Sequence, residues 1–260
     1  MTDRHYMHFH PDERGFADRA TDWIERAAEQ HQLKLTDFLD PRQAVILESL
    51  ANRNPDVTFR LDGGYPEAER QRALIAPDYR ALEDEPVGIT VLSITSEDGK
   101  LAELQHGDYL GAILGLGIKR DKIGDIQIHE EGCHILVTED IASYFHLQLQ
   151  QVHRVHVQTE LIPANKLRTA TQKLDDMNIS VASLRLDGIA SDVYRLSRTK
   201  IVVPIQAGRC KVNWKVEENP SKMLKEGDVV SLQGFGRFKV LEVEGVTKKG
   251  RIRVKIGKYA

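Results

Sequence analysis

The stretch LRLDGIASDVYRLSRTKIVVPIQAGRCKVNW, from Leu184 to Trp214, decides the fold of the C-terminal part of this chain. It predicts two short helices that lead into a strand. The first helix is expected over Arg185–Val193. The second is expected to begin near Ser197, because serine caps helix N-termini well. It is expected to end at Gly208, because glycine is favoured directly after a helix.

Pro204 is the residue of this stretch that opposes the helix prediction. Inside a regular helix, proline removes a hydrogen bond and clashes with the preceding turn, which costs roughly 3 kcal/mol. The β-branched residues directly before it, Ile201–Val203, are only modest helix formers. We therefore expect the second helix to be kinked or shortened.

Basic side chains cluster along the same stretch. A helix N-terminus that carries Arg198 combines open backbone N–H groups with a guanidinium, and both bind phosphate. Arg198 and Lys200 are two residues apart and do not share a helix face, so Arg198 is the stronger candidate and Lys200 a possible bystander. Asn213 either donates to phosphate or a 2′-hydroxyl, or it shapes the strand. Structured RNA is recognised mainly through its backbone and shape, and such a cluster suits it. The candidate RNA-binding residues are Arg185, Arg198, Lys200, Arg209, Lys211, Asn213 and Lys215.

Charge is distributed unevenly along the 260 residues, although the formal net charge is only -3. Residues 183–260 contain 17 Lys+Arg and 8 Asp+Glu, a net charge of +9. The remaining residues contain 19 Lys+Arg and 31 Asp+Glu, a net charge of -12. Such asymmetry suggests a polyanionic partner for the C-terminal end. The alternative is a basic surface without a partner.

Residues 1–82 are predicted to form a small α-rich domain. Phe16, Ala20, Trp23 and Ala27 recur at the spacing of one helix face. A second helix is expected to begin with Asp40 as its N-cap, Pro41 as its first residue and Gln43 completing a capping box. The apolar side of this helix is predicted to comprise Val45, Ile46, Leu47 and Leu50.

Residues 83–165 show the order β-α-β-β-α-β, which is that of the ferredoxin-like, RRM-like plait. The third strand lacks the aromatic residues that stack bases in standard RNA-recognition motifs, so we expect no base stacking on this sheet. The predicted strands are Gly88–Ile94, Asp125–His129, His134–Thr138 and Val155–Ile162, and the helices are Asp108–Ile118 and Ile141–Val152.

A helical linker is expected over residues 166–182, followed by the C-terminal domain at 183–260. Its tail is predicted to be β-rich, since branched or alternating runs are bounded by glycines. These runs are Val229–Leu232, Phe238–Val243 and Ile252–Ile256. The fold class predicted for the whole chain is therefore α+β.

A second group of cations, Lys119, Arg120 and Lys122, follows the first helix of the predicted plait. These side chains are either cations at a helix C-terminus, which the helix dipole favours, or a second RNA-binding face. The sequence is compatible with both interpretations of these three cations.

The stretch from Arg185 to Asn213 resembles the RNA-binding domain first recognised in ribosomal protein S-four, here called the S-four domain. Together with four other motifs, it makes the whole chain resemble the YlmH family of S-four proteins. These motifs are FLDP at Phe38–Pro41, GGY-x3-ER at Gly63–Arg70, the stretch His106–Ile126, and GFGR at Gly234–Arg237. The sequence KVNWKVEENP at Lys211–Pro220 also fits that pattern.

The resemblance implies an N-terminal domain, a plait-type RNA-binding domain and a C-terminal S-four domain of the alpha-L type. It implies a bacterial cytoplasmic protein that is often encoded among cell-division genes. Related S-four proteins bind the large ribosomal subunit when peptidyl-tRNA remains on it. The implied partners are therefore rRNA of that subunit and tRNA or peptidyl-tRNA, and the implied role is ribosome-associated quality control. The acidic N-terminal half is a candidate surface for a protein partner.

Two other functions stay open: an RNA-modifying enzyme and a cell-division interaction factor. Arg60-Leu61-Asp62 matches the Arg-Leu-Asp triplet of pseudouridine synthases, but its flanking residues do not. We expect no metal, because the histidines lack a Cys or carboxylate at metal-ligand spacing. We expect no enzyme activity and no catalytic residues, because the sequence offers no Ser/His/Asp arrangement. We expect no cofactor, since no GxGxxG spacing fits a dinucleotide fingerprint. Neither a signal core nor a membrane span is present, so a cytoplasmic protein is expected.

Overall fold

The structure is a computed structural model, which describes residues 9–96, 104–170, 174–247 and 250–259. Over these residues the fold is mixed α+β with antiparallel sheets, as the sequence predicted. The chain divides into two compact units, Met1–Ala170 and Thr171–Ala260.

The first unit begins with two helices that pack on a small sheet. The three strands are antiparallel in the order β1-β3-β2, and β3 is buried along its whole length. This sheet is an addition to the predicted α-rich domain. The elements are α1 (Pro11–Gln30), β1 (Lys34–Leu35), α2 (Pro41–Ala51), β2 (Val57–Asp62) and β3 (Arg72–Pro77).

The predicted apolar face of α1 is confirmed. Phe16, Ala20 and Ala27 are buried against α2 and the sheet. Trp23 lies partly buried beside them, with its ring 6.0 Å from that of Phe16 in an edge-on contact. The 3.6-residue period thus placed this helix correctly.

The capping box predicted for α2 is also confirmed. The Gln43 N–H donates to Asp40 Oδ1 at 2.8 Å, and the Asp40 N–H donates to Gln43 Oε1 at 2.9 Å. Ile46 and Leu47 are buried, but Val45 is 51% exposed. The placement of Val45 on the apolar side was wrong, because neighbouring residues point about 100° apart around a helix.

The rest of the first unit follows the predicted order β-α-β-β-α-β. The four main strands are antiparallel in the order β5-β6-β4-β9, and both helices pack on one face of that sheet. A two-stranded hairpin, β7-β8, precedes the last strand. The elements are β4 (Ile89–Thr95), α3 (His106–Gly115), β5 (Ile123–His129), β6 (Gly132–Thr138), α4 (Glu139–Gln148), β7 (Gln151–Val152), β8 (Val155–His156) and β9 (Gln158–Ile162).

Both helices of this region end earlier than predicted. Helix α3 stops at Gly115, and Gly117 follows in a left-handed conformation with φ +80°. Helix α4 stops at Gln148, so that Val152 belongs to a strand. Val152 and Val155 are both buried through the hairpin, and an apolar run of this length is ambiguous between helix and strand.

The second unit packs two helices on one face of a six-stranded antiparallel sheet. The strand order is β10-β15-β14-β13-β11-β12. Buried side chains of both helices and of the inner sheet face form one core. The elements are β10 (Leu174–Val181), α5 (Leu186–Tyr194), α6 (Arg198–Gln206), β11 (Cys210–Val212), β12 (Lys215–Val216), β13 (Val229–Leu232), β14 (Gly236–Val246) and β15 (Ile252–Tyr259).

The helical linker predicted over 166–182 was wrong where the structure describes it as β10. This strand pairs with β15 along its whole length. Met177, Ile179 and Val181 alternate with polar residues, which is the period of a strand with one buried face. The last of them is almost fully buried.

Helices α5 and α6 lie where the sequence predicted them. Pro204 lies inside α6 and is buried, and the helix ends two residues later. The Arg209 N–H donates to the Pro204 carbonyl at 3.0 Å, which closes the helix end beside Gly208 at φ +70°. The three predicted strands of the tail are present within β13, β14 and β15.

Candidate nucleic-acid interface

Arg185 and Asp187 form an ion pair at the start of α5. Arg185 Nε and Nη2 donate to the two carboxylate oxygens of Asp187 at 3.0 and 2.7 Å. The Asp187 side chain is only 5% exposed, whereas that of Arg185 is 38% exposed. The Arg185 guanidinium holds the pKa of Asp187 below its usual range. Since a guanidinium has five N–H donors, Arg185 keeps donors beyond the two that Asp187 accepts.

The N-terminus of α5 is closed by the chain itself. The Leu186 N–H donates to the Lys222 carbonyl at 2.8 Å, and the Asp187 N–H donates to the Pro220 carbonyl at 3.0 Å. These are two of the N–H groups that a helix leaves without partners at its start. A phosphate at this helix end would have to displace the loop around residues 220–222.

Arg198, at the first position of α6, lies across α5 at Gly188. A Cβ added to Gly188 would come within 2.7 Å of Arg198 Nη2. The absence of a side chain at Gly188 therefore provides the space that the guanidinium occupies. Arg198 also lowers the pKa of Asp187, although less than Arg185 does. The charges of two guanidinium groups thus act on one buried carboxylate, and together they exceed its single negative charge.

The N-terminus of α6 faces solvent and carries the predicted cap. Ser197 Oγ accepts from the Lys200 N–H at 3.4 Å. Residues 197–200 are all exposed. Helix N-termini attract anions through their dipole and their open N–H groups. Arg198 adds a guanidinium at this end, while Lys200 points to another side of the helix.

The cations of β11 and β12 lie on other parts of this unit. Cys210 and Val212 are buried, so the exposed Lys211 between them points to the sheet face opposite the helices. Arg209 is exposed just before β11, and Lys215 is exposed on the edge strand β12. The structure therefore brings Arg185 and Arg198 together and places Lys211 on a different face.

Asn213 shapes the turn between β11 and β12. Its Nδ2 donates to Asp228 Oδ1 at 2.9 Å, and its Oδ1 accepts from the Val229 N–H at 2.9 Å. Its own N–H donates to the Val229 carbonyl at 2.8 Å. Both ends of the amide are thus used within the protein. Of the two readings left by the sequence, the geometry supports the one in which Asn213 shapes the strand.

Two of the three cations after α3 have partners inside the first unit. Arg120 Nη1 donates to the Ile123 and Gly124 carbonyls, and burial lowers the pKa of Arg120 to about 10. Lys122 Nζ lies 2.8 Å from Asp37 Oδ1 and 2.7 Å from Asp140 Oδ2. Lys119 is exposed.

This geometry favours a structural role for Arg120 and Lys122 over a second RNA-binding face. The carboxylates that Lys122 contacts lie 85 and 18 residues away in the chain. A cation between two carboxylates has little charge left to attract phosphate. Of the three cations, Lys119 is the one classed as exposed, so it is the remaining candidate for a phosphate contact.

Sequence reasoning missed Asp125, which joins the two parts of the first unit. Its carboxylate accepts from Tyr65 Oη at 2.7 Å and from the N–H groups of Glu69 and Arg70 at 2.7 and 3.1 Å. Burial raises the pKa of Asp125, although these donors favour its charged form. The Arg70 guanidinium donates to the Phe38 carbonyl at 3.0 Å. The motif GGY-x3-ER thus supplies a structural junction.

The second face of the β5-β6-β4-β9 sheet is covered by the chain itself. Leu136 is fully buried on it, and Gly64 approaches so closely that an added Cβ would lie 2.6 Å from Leu136 Cδ2. Gln127 Oε1 accepts from the Ala170 N–H at 2.8 Å. His134 Nδ1 accepts from the Arg168 N–H at 3.1 Å. Covered in this way, the face offers little area for stacked bases.

The Arg-Leu-Asp triplet at 60–62 has local structural contacts. Arg60 donates to the carbonyls of Leu82, Glu83 and Glu85. Asp62 Oδ1 accepts from the Gly64 N–H at 2.8 Å and so closes the turn after β2. Both charged residues of the triplet thus contribute hydrogen bonds to the local fold.

Neither thiol is activated, because Cys133 and Cys210 are buried and burial raises the pKa of both, to about 12 for Cys210. Within the described residues, no group of three or more His, Cys, Asp or Glu is placed to hold a metal ion. No helix among these same residues is long and apolar enough to span a membrane.

Comparisons with known proteins agree with these observations. The family model described as "YlmH, N-terminal" matches residues 12–80, and the one described as "Putative RNA-binding domain in YlmH" matches residues 83–166. Ribosome-associated protein quality control protein P2 of Bacillus subtilis (strain 168) is 39% identical over 249 residues, which cover 96% of each chain. The solved structure of cell division protein ylmH from Streptococcus pneumoniae is 29% identical, with a TM-score of 0.53, and the match covers 63% of this chain and 99% of that one.

Proposed function

The chain belongs to the YlmH family, and we propose on this premise that it is a non-enzymatic RNA-binding protein of the large ribosomal subunit. Its role is ribosome-associated quality control, in which it binds rRNA together with the tRNA of a stalled peptidyl-tRNA complex in the cytoplasm. The name of the Bacillus subtilis relative, which shares 39% identity over almost the whole chain, supports this role.

The domain assignment is part of the proposal. The region from 83 to 165 is a ferredoxin-like, RRM-like plait, which its element order and its strand order β5-β6-β4-β9 support. The two helices and strands from residue 183 onward form an S-four domain of the alpha-L type with a β-rich tail. Because β10 pairs with β15, we place the start of this C-terminal domain at Leu174 or before it. The N-terminal domain spans residues 1–82.

The observation that carries the proposal is the position of Arg198 at the exposed N-terminus of α6. A guanidinium and a helix N-terminus at one point form a phosphate site. Arg185 contributes a second guanidinium across Asp187, and Arg209, Lys211 and Lys215 add positive charge elsewhere on the same unit. The net charge of +9 over residues 183–260 supports a polyanionic partner for this end.

The role proposed for the first unit differs from that of the C-terminal domain. Its net charge is negative, Arg120 and Lys122 are occupied by carbonyls and carboxylates, and one face of its large sheet is covered. We propose that this unit contacts a protein partner or positions the C-terminal domain on the subunit. Lys119 is the candidate for an auxiliary contact with RNA.

A titration of labelled tRNA and of large-subunit rRNA fragments at several salt concentrations tests the proposal. Because phosphate contacts release counterions, the logarithm of the affinity should fall with the logarithm of the salt concentration with a slope of several units. Arg198→Ala should weaken binding by about 1–3 kcal/mol, as for loss of a charged hydrogen bond. Arg53→Ala is the matched control, because Arg53 is an exposed cation of the first unit with no proposed RNA contact, and it should change affinity little. A salt slope near zero would overturn the electrostatic model.

A further inference from the structure

The turn between β11 and β12 contains a tryptophan at a position that favours glycine. Asn213 and Trp214 are its two central residues, with φ values of +49° and +64°. Two consecutive positive φ values are the requirement of a type I′ hairpin turn, for which Asn-Gly is the preferred pair. A side chain in the left-handed region is sterically strained. Such strain at one residue is a reason to ask what its side chain does.

The Trp214 ring lies on the outer face of the sheet, opposite the helices. Its partner is Arg237, whose guanidinium carbon is 5.9 Å from the centre of the Trp214 ring. Arg237 lies next to the fully buried Phe238 and therefore points to the opposite face. The same guanidinium carbon is 4.3 Å from the ring of Tyr259. The three side chains belong to the β11-β12 turn, to β14 and to β15, and all three are partly exposed.

The surroundings of these three side chains are basic. Lys211 is paired with Ser231, which in turn is paired with Arg237, so both cations lie on the same face. Lys239 follows two residues after Arg237 and also points outward. The nearby Asp176 is neutralised by Lys255 at 2.8 Å. Positive charge therefore dominates at the end of the face where the aromatic rings lie.

We propose that this outer face, made of Trp214, Arg237, Tyr259, Lys211 and Lys239, binds a short unpaired segment of RNA by stacking its bases. Aromatic rings and guanidinium planes stack on nucleobases, and neighbouring cations follow the phosphate backbone. The outer face is separate from the helix face that carries Arg198. This second site rests on the proposed function only because it also takes RNA as the partner. It adds a second contact, with single strands, on the opposite side of the sheet.

The competing explanation is that Arg237 only cross-links the strands through its two rings. The identity of residue 214 separates the two explanations. A purely structural contact should stabilise the domain, so that removing it lowers stability. If the Trp214 ring instead binds RNA, its strained backbone contributes nothing to stability. Because glycine adopts this conformation without strain, Trp214→Gly should then leave the domain equally stable or more stable.

The tryptophan content of the chain makes the test direct. Trp23 and Trp214 are its two tryptophans, so Trp23→Phe leaves Trp214 as the single fluorescent reporter. This variant is titrated with an oligouridylate and an oligoadenylate of about eight nucleotides, within the usual site size for single strands. We expect saturable quenching of Trp214 fluorescence, and little quenching by an RNA duplex. Tyr259→Leu should lower the affinity for the oligonucleotide at least tenfold.

Two further variants separate this proposal from the proposed function. Trp214→Gly should abolish tight binding of a labelled oligonucleotide, with an unchanged or higher thermal midpoint and with tRNA binding retained. Arg198→Ala combined with Trp23→Phe should weaken tRNA binding as much as Arg198→Ala alone does, but it should keep the quenching by oligonucleotides. Absence of quenching while tRNA still binds would overturn the outer-face proposal alone. Loss of stability in Trp214→Gly without loss of oligonucleotide affinity would show a structural contact instead. If neither tRNA nor the oligonucleotides bind to the protein, both proposals are overturned.

Discussion

The guanidinium of Arg198 occupies the space above Gly188, where an added Cβ would lie 2.7 Å from Nη2. This relationship links the two helices of the C-terminal unit at the point where the candidate phosphate site lies. Asp187, beside Gly188, is almost fully buried and pairs with Arg185. A glycine and a carboxylate on α5 therefore determine where two guanidinium groups of the site are held.

Gly188→Ala is predicted to weaken RNA binding while leaving the domain as stable or more stable. Alanine is favoured over glycine in a helix by about 1 kcal/mol, and the three atoms nearest to the new Cβ all belong to the flexible Arg198 side chain. Displacement of that side chain should lower RNA affinity about fivefold, equivalent to ~1 kcal/mol. RNA titration and urea unfolding of the same sample measure both effects.

The matched control for this variant is Gly111→Ala. Gly111 lies in α3, and nothing comes within 4 Å of a Cβ added there. The same gain in helix propensity is expected without any change in RNA affinity. If Gly188→Ala and Gly111→Ala bind RNA equally well, the position of Arg198 over Gly188 has no role in binding.

Arg185→Gln is predicted to lower the free energy of unfolding at neutral pH, by an amount that shrinks in acid. The pKa of Asp187 is depressed in the folded state, chiefly by its hydrogen bonds with Arg185. The stabilisation is therefore present above the unfolded pKa, about 3.9, and is lost as pH falls through the lower folded value. Urea unfolding at pH 7 and pH 3 measures the difference. A gap between wild type and variant that is equally large at both values contradicts this assignment.

Asp125→Ala is predicted to destabilise the first unit by about 3 kcal/mol. The change leaves Tyr65 Oη and two backbone N–H groups without their acceptor, and a buried group without a partner costs about 1–3 kcal/mol. Tyr65→Phe, which removes one of these donors, should cost about 1 kcal/mol. Thermal unfolding checks both values. RNA affinity of the folded variants should equal that of the wild type, because the C-terminal basic surface is intact.

Stability of the first unit is predicted to fall as the pH drops from 7.5 to 5. Burial lowers the pKa of both His129 and His134, and His134 Nδ1 accepts the Arg168 N–H in its neutral form. A depressed histidine pKa gives stability that is present above about 6.5 and lost as pH falls through the folded value. His134→Gln keeps an acceptor but does not titrate. Its thermal midpoint should fall less than that of the wild type over this range, and equal falls would contradict the role of His134.

Elements whose ends are set by their own side chains could be predicted from the sequence. The Asp40–Gln43 box and the Ser197 cap need only residues three apart, and the structure contains both. The branched run Val229–Leu232 forms a strand with the predicted limits. The YlmH resemblance, which rests on short motifs spread along the chain, is confirmed by the comparisons.

Contacts between distant parts of the chain could not be predicted in this way. The sequence around Lys122 suggests an exposed cation, but Lys122 pairs with the carboxylate of Asp37, which lies 85 residues away in the chain. Asp125 meets Tyr65 across 60 residues. The same limit explains the failure at Leu174–Val181, a strand whose partner β15 comes near the end of the chain. For the candidate site, the sequence shows which residues are basic. It does not show which of them lie on the helix face and which on the outer face, because that depends on how the strands pair in the sheet.

Sedimentation with large ribosomal subunits tests the central claim most directly. Purified wild-type protein and Arg198→Ala are each run on sucrose gradients with empty subunits and with subunits that carry peptidyl-tRNA. The account predicts that the wild type migrates with the subunits, most strongly with those that carry peptidyl-tRNA, and that Arg198→Ala stays at the top of the gradient. Failure of the wild type to migrate with either subunit, or equal migration of both proteins, would contradict the account.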